Sequence, residues 1–144
     1  MNTLPLADAI LVVDDNADSR AMLVEYLEDK GFTVHAAPTG EPALALADAL
    51  RPRVILMDLS MPNLDGLETT RRLRANPSTR DATIVMLTAR AFIGDRNAAH
   101  RAGCDFFVPK PYDLPTVATL IDGLMSARLQ TAGRLPLNFA PQLS

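Results

Sequence analysis

The chain is poor in several features that carry chemistry or anchorage in other proteins. It has one cysteine, Cys104, so no disulfide can form within it and the fold must stand on packing. A single thiol suits a reducing compartment. No apolar run approaches the roughly 20 residues needed to cross a bilayer. Residues 1–9 carry Asp8 and no basic side chain, unlike a secretory signal. The net charge is only -3, which gives no electrostatic grip on nucleic acid or on an anionic membrane. Lysine is scarce: of 14 basic residues only Lys30 and Lys110 are lysines. The expectation is a cytoplasmic protein that contacts neither nucleic acid nor membrane.

What is present fits one domain. The 144 residues are 48% hydrophobic, enough for a real core. Short apolar runs alternate with longer amphipathic stretches. Strands are expected at residues 10–13, 33–37, 54–57, 83–87 and 106–108. The first helix is capped by Asn16 or Asp18, carries Met22, Leu23, Tyr26 and Leu27 on its apolar face, and stops at Lys30-Gly31. Glu41-Pro42 opens a second helix, whose apolar positions are Ala43, Leu44, Ala47 and Leu50. A third spans 67–75, with Arg71, Arg72 and Arg74 read as a solvated face. A weaker fourth spans 92–102 and stops at Gly103. Asp113 caps the last, with Val117, Leu120, Ile121 and Leu124 on one side. Five strands alternating with five helices imply an α/β fold, a doubly wound parallel sheet covered on both faces.

In such a sheet, function collects beyond the carboxyl ends of the strands. Those ends read Asp14-Asp15, Asp58, Thr88 and Lys110. Three carboxylates brought together repel unless a cation joins them. An oxygen-only ligand set with no nearby histidine or cysteine suits a hard ion, and Mg²⁺ fits best because it keeps coordination sites for phosphate. Lys110 adds a mobile cation for phosphoryl oxygens and Thr88 a hydroxyl donor. The chemistry is phosphoryl transfer by positioning and charge, with the Asp58 carboxylate as nucleophile.

Over residues 9–129 the sequence resembles the receiver domains of two-component response regulators. The motifs are LVVDDN at 11–16, MDLSMPNLDG at 57–66, MLTA at 86–89 and VPKPY at 108–112, in order and each at an expected strand end. The resemblance implies a flavodoxin-like strand order of 2-1-3-4-5. It makes Asp58 the phosphoacceptor, with Asp14, Asp15, Asp58 and the backbone carbonyl of Ser60 as Mg²⁺ ligands. Thr88 becomes the switch hydroxyl, Lys110 the phosphoryl-binding lysine and Phe107 the switch aromatic, where many members have tyrosine. A cis Lys110–Pro111 bond is implied, and Ser60 and Arg90 would flank the path of water and set the lifetime of the acyl phosphate. The donor would be a histidine kinase or a histidine phosphotransfer protein. A downstream protein would read the α4-β5-α5 surface, and there is room for a homodimer formed on phosphorylation.

Other readings compete. An aspartyl phosphohydrolase would need a second aspartate two residues after the nucleophile, where this chain has Ser60. A flavin-binding relative would need a hydroxyl- and glycine-rich loop after the first strand, where Asp14-Asp15-Asn16 would repel phosphate. A degenerate receiver acting only as an interaction module would have lost site residues, and none is missing. The expectation is therefore a stand-alone, single-domain switch and not an enzyme. Cys104 is read as a small buried hydrophobe, Phe107 as a core aromatic as well as a switch, and His35 and His100 as surface or edge residues. The segment 130–144 lacks periodicity and is expected to be flexible, although Leu135, Leu137 and Phe139 could dock on the domain or on a partner.

Overall fold

A computed structural model describes residues 6–126. The expectations for 130–144 lie outside the described residues. Ten elements alternate along the chain: β1 (Ala7–Val13), α1 (Ala17–Asp29), β2 (Val34–Ala37), α2 (Gly40–Leu50), β3 (Pro52–Met57), α3 (Gly66–Ala75), β4 (Thr83–Thr88), α4 (Ile93–Ala102), β5 (Phe106–Pro109) and α5 (Leu114–Ser126). The strands form one parallel sheet in the order β2-β1-β3-β4-β5. This is the expected doubly wound arrangement.

The helix starts follow local chemistry. The Asn16 side chain accepts the Ser19 amide at 2.8 Å, Asp65 accepts the Glu68 amide at 2.9 Å, and Asp113 accepts the Thr116 amide at 2.7 Å. Each satisfies an amide that the first turn leaves unpaired. At the other end, Gly31 and Gly103 take φ of 97° and 114°, a left-handed conformation that stops α1 and α4.

The sheet separates two cores. Alternate strand residues Leu11, Val13, Ile55, Met57, Ile84, Met86 and Phe107 face one side, with Ala43 and Ala47 of α2, Leu73 of α3 and Ala99 of α4. Their neighbours Ile10, Val12, Val54, Leu56, Val85, Phe106 and Val108 face the other, with Leu23 and Leu27 of α1 and Val117 and Ile121 of α5. Burying a side chain the size of Leu27 contributes about 1.5–3 kcal/mol. Near-continuous burial along β1, β3 and β4 is what a sheet covered on both faces demands.

Two expectations are corrected. Met22 is 57% exposed and does not belong to the buried stripe of α1. It shares its face with Asp18, Glu25 and Asp29, four, three and seven residues away, and all three are exposed. The stripe is Leu23 and Leu27, flanked by partly buried Val24 and Tyr26. The three arginines of α3 also divide. Arg71 and Arg72 pair with Glu68, each at 3.1 Å, on an exposed face. Arg74 instead turns inward: its guanidinium donates to the carbonyls of Gly103 at 2.9 Å and of Arg80 and Ala82 at 2.6 Å, and meets Asp105 at 2.7 Å. Asp105 is buried and also accepts the Ile84 amide at 2.9 Å. The guanidinium fork suits this role because it presents several donors in fixed directions.

Candidate functional site

The sheet changes winding direction between β1 and β3, and the site forms beyond their carboxyl ends. Val13 pairs with Met57 in the register, so the next residues, Asp14 and Asp58, emerge side by side. The ladder runs on past the strands. The Asp14 amide donates to the Ala37 carbonyl at 3.2 Å, the Asp58 amide to the Val13 carbonyl at 3.0 Å and the Lys110 amide to the Thr88 carbonyl at 2.8 Å. Backbone pairing thus fixes the roots of the acidic pair and of the lysine before any side-chain contact is counted.

The side chains then converge. Lys110 Nζ lies 3.5 Å from Asp58 Oδ2 and 3.6 Å from Asp14 Oδ2. Asp14 and Asp58 are buried, whereas Asp15 is exposed. One carboxylate oxygen from each of the three lies within 4.8 Å of the others, the spacing of a common ion site. The other Asp14 oxygen accepts the Asn16 amide at 2.9 Å and that of Asp58 accepts the Ser60 amide at 3.1 Å. Thr88 Oγ1 accepts the Arg90 amide at 3.1 Å.

The charges are balanced against burial. Burial pushes the Asp58 carboxyl above its ordinary 3.8; Asp14 adds to the rise, while Lys110, the Ser60 amide and the Thr88 hydroxyl work against it. For Lys110 burial disfavours the ammonium, but the Asp58 and Asp14 carboxylates outweigh it and the net shift is upward. Removing water strengthens both the repulsion and the attraction. The set is rich in oxygen donors, lacks nitrogen and sulfur ligands, and is acidic enough to want a second cation. Those properties fit a hard divalent ion.

Several contributors were not read from the sequence. Arg20 donates to the Asp14 carbonyl at 2.8 Å and pins the β1–α1 loop. Half-buried Tyr112 flanks Lys110, and burial raises its phenol above the ordinary value. Gly66 ends the MDLSMPNLDG motif with no role assigned to it. A Cβ there would lie 2.9 Å from the Leu59 Cα and closer still to the Asp58 carbonyl oxygen, so the loop following Asp58 closes only over a glycine. Its Asp-Gly pair was the available signal. Arg90 stands near the site, but its guanidinium pairs with Asp95 at 3.0 Å. Phe107 is fully buried, and the Lys110–Pro111 bond is cis.

Two buried aspartates, a buried threonine and a lysine gathered at the carboxyl edge of a 2-1-3-4-5 sheet are the arrangement of a receiver domain. The profile of the response regulator receiver domain matches residues 10–122, and the chain belongs to that family. A 14.6 kDa protein of Leptolyngbya boryana, described as uncharacterized, is 41% identical over 113 residues, covering 78% of this chain and 86% of that one. The response regulator MprA of Mycolicibacterium vanbaalenii is 39% identical over 116 residues, covering 81% and 49%. The chain therefore spans about half the length of that regulator. Among solved structures, the chemotaxis protein CheY4 of Vibrio cholerae superposes with a TM-score of 0.77 at 29% identity, covering 82% of this chain and 99% of that one. The receiver domain of the sensor histidine kinase PA1611 of Pseudomonas aeruginosa gives 0.77 at 31% identity, covering 83% and 98%, and has a magnesium ion coordinated in its active-site cleft. Among the described residues no helix is long and apolar enough to cross a membrane.

Proposed function

We propose that the chain is a phosphoacceptor in a two-component phosphorelay, receiving a phosphoryl group on Asp58. The observation that carries this reading is the ammonium of Lys110 set 3.5 Å from Asp58 and 3.6 Å from Asp14, with a third carboxylate beside them. Asp14, Asp15 and Asp58, with the Ser60 carbonyl, would hold Mg²⁺, which supplies charge neutralisation for the incoming phosphoryl oxygens. An Asp58 carboxylate oxygen forms the new bond to phosphorus as the bond to the donor's imidazole nitrogen breaks. Lys110 and the Thr88 hydroxyl receive phosphoryl oxygens, so the positive charge that now neutralises Asp58 is re-used on the product. The position where a phosphohydrolase would carry its acid is Ser60, and no side chain there can protonate a leaving group.

The role is that of a signalling switch and not of an enzyme acting on a separate substrate. The donor is a histidine kinase or a histidine phosphotransfer protein. The output is read by a protein partner on the α4-β5-α5 surface, with Thr88 and Phe107 transmitting the change and Ser60 and Arg90 setting its lifetime. Intact-mass spectrometry after incubation with acetyl phosphate tests the chemistry. One phosphoryl adduct is expected, dependent on Mg²⁺ and absent in Asp58→Asn. No adduct, together with no binding of beryllofluoride in the presence of Mg²⁺, would sink the reading.

A further inference from the structure

We propose that Arg96, in the first turn of α4, is a positioning residue that caps the ring of Phe107 and so ties α4 to the state of the Asp58 site. The inference rests on the reading of Asp58 as phosphoacceptor. The Arg96 guanidinium carbon lies 5.0 Å from the centroid of the Phe107 ring. That ring is fully buried within the cluster holding Met57, Met86 and Ala99, and Phe107 is paired with Met86 across the β4–β5 ladder. A phenylalanine has no hydroxyl with which to fix its ring by a hydrogen bond. A guanidinium over its face supplies that fixation by another route, since the ring quadrupole attracts the cation. Among the described residues no carboxylate pairs with Arg96, whereas its helix neighbour Asp95 is engaged by Arg90 at 3.0 Å.

The link to the site is geometric. Met57 directly precedes Asp58, and Met86 stands two residues before Thr88, so Phe107 shares a core cluster with the residues that lead into both site positions. Its inward ring stands beside Met86, two residues before buried Thr88, whose Oγ1 accepts the Arg90 amide at 3.1 Å. A phosphoryl group on Asp58 that draws on the Thr88 hydroxyl acts on the strand packed against this ring. Whatever stabilises the inward ring then strengthens phosphoryl binding to the extent that it suppresses the outward population. Arg96 approaches from α4, so a partner that pulls on this helix loosens the cap, and occupancy of the site tightens it.

The experiment uses beryllofluoride with Mg²⁺ as the phosphoryl mimic, titrated into wild type, Arg96→Ala and Arg96→Lys, each also in a Phe107→Leu background. Phe107 ring resonances are recorded in the metal-free proteins. Arg96→Ala is expected to weaken mimic binding roughly two- to fivefold and to shift the ring resonances. Arg96→Lys should restore part of the affinity, and neither change should matter once Phe107 is leucine. Equal losses in both backgrounds, or ring resonances left unmoved by Arg96→Ala, overturn the proposal. If wild type binds no beryllofluoride, the phosphoacceptor reading fails, and the ring resonances of the metal-free protein then decide the cap alone.

Discussion

At Asp58 the fold accepts a local cost. The carboxylate is buried next to Asp14, and only Lys110, one amide and one hydroxyl compensate it. Because its folded pKa lies above 3.8, the native state keeps a proton that the unfolded chain has already lost. The stability of metal-free protein should therefore fall as pH rises from 3.8 through the folded value, then level off. Asp58→Asn keeps an acceptor for the Ser60 amide and removes the charge. It should flatten that dependence and raise metal-free stability at neutral pH by on the order of 1 kcal/mol in urea denaturation. A variant less stable than wild type would mean that attraction to Lys110 outweighs the burial. Cys104 behaves oppositely, as a spectator. Its thiol donates to the Phe106 carbonyl at 2.8 Å and burial pushes its pKa up to about 12. Native protein should resist iodoacetamide at pH 8 while unfolded protein reacts.

Among the elements, the join between α3 and the β4–β5 edge depends on one side chain. Arg74 serves three carbonyls and a buried carboxylate, and Gly103 lies so close that a Cβ there would meet Arg74 Cγ at 2.8 Å. Arg74→Ala should cost about 3–5 kcal/mol, measured by urea denaturation, because Asp105 would lose its guanidinium partner inside the protein. A loss below 1 kcal/mol would show that water replaces the guanidinium. Sequence reading missed this clamp for a physical reason. The arginine run of α3 has the spacing of a solvated face, and what turns Arg74 inward lies 6 to 31 residues further along the chain. The same holds for Arg20 and Arg96, whose long side chains reach partners that no local pattern encodes. The strands, caps and stops were legible because their causes are local: a buried run, an Asn or Asp before a helix, a glycine after it. The site residues were legible because each directly follows a strand. The boundary errors fall at strand ends, where Ala7 pairs with Pro52 and β1 runs through the polar Asp8.

At the scale of the whole molecule, an ion site at these carboxylates, as proposed, would couple global stability to divalent ions. A ligand that binds only the folded state stabilises it by about 1.4 kcal/mol at ten times its Kd. Mg²⁺ should accordingly raise the thermal midpoint by a few degrees, and the gain should vanish in Asp58→Asn. A midpoint that Mg²⁺ leaves unmoved in wild type would count against an ion site at these carboxylates.

The same sheet order has a consequence for the chain during synthesis. Asp14 and Asp58 come from neighbouring central strands, but the lysine that answers them follows β5, the outermost strand and the last to be made. A ribosome-bound chain that has paired β1 with β3 holds its aspartates together with no ammonium between them. Only when Pro109 docks beside Thr88 does Lys110 arrive. On the phosphoacceptor reading proposed above, a nascent chain would stay deaf to its signal until its sheet is complete, and a half-made copy would not draw phosphate away from finished ones.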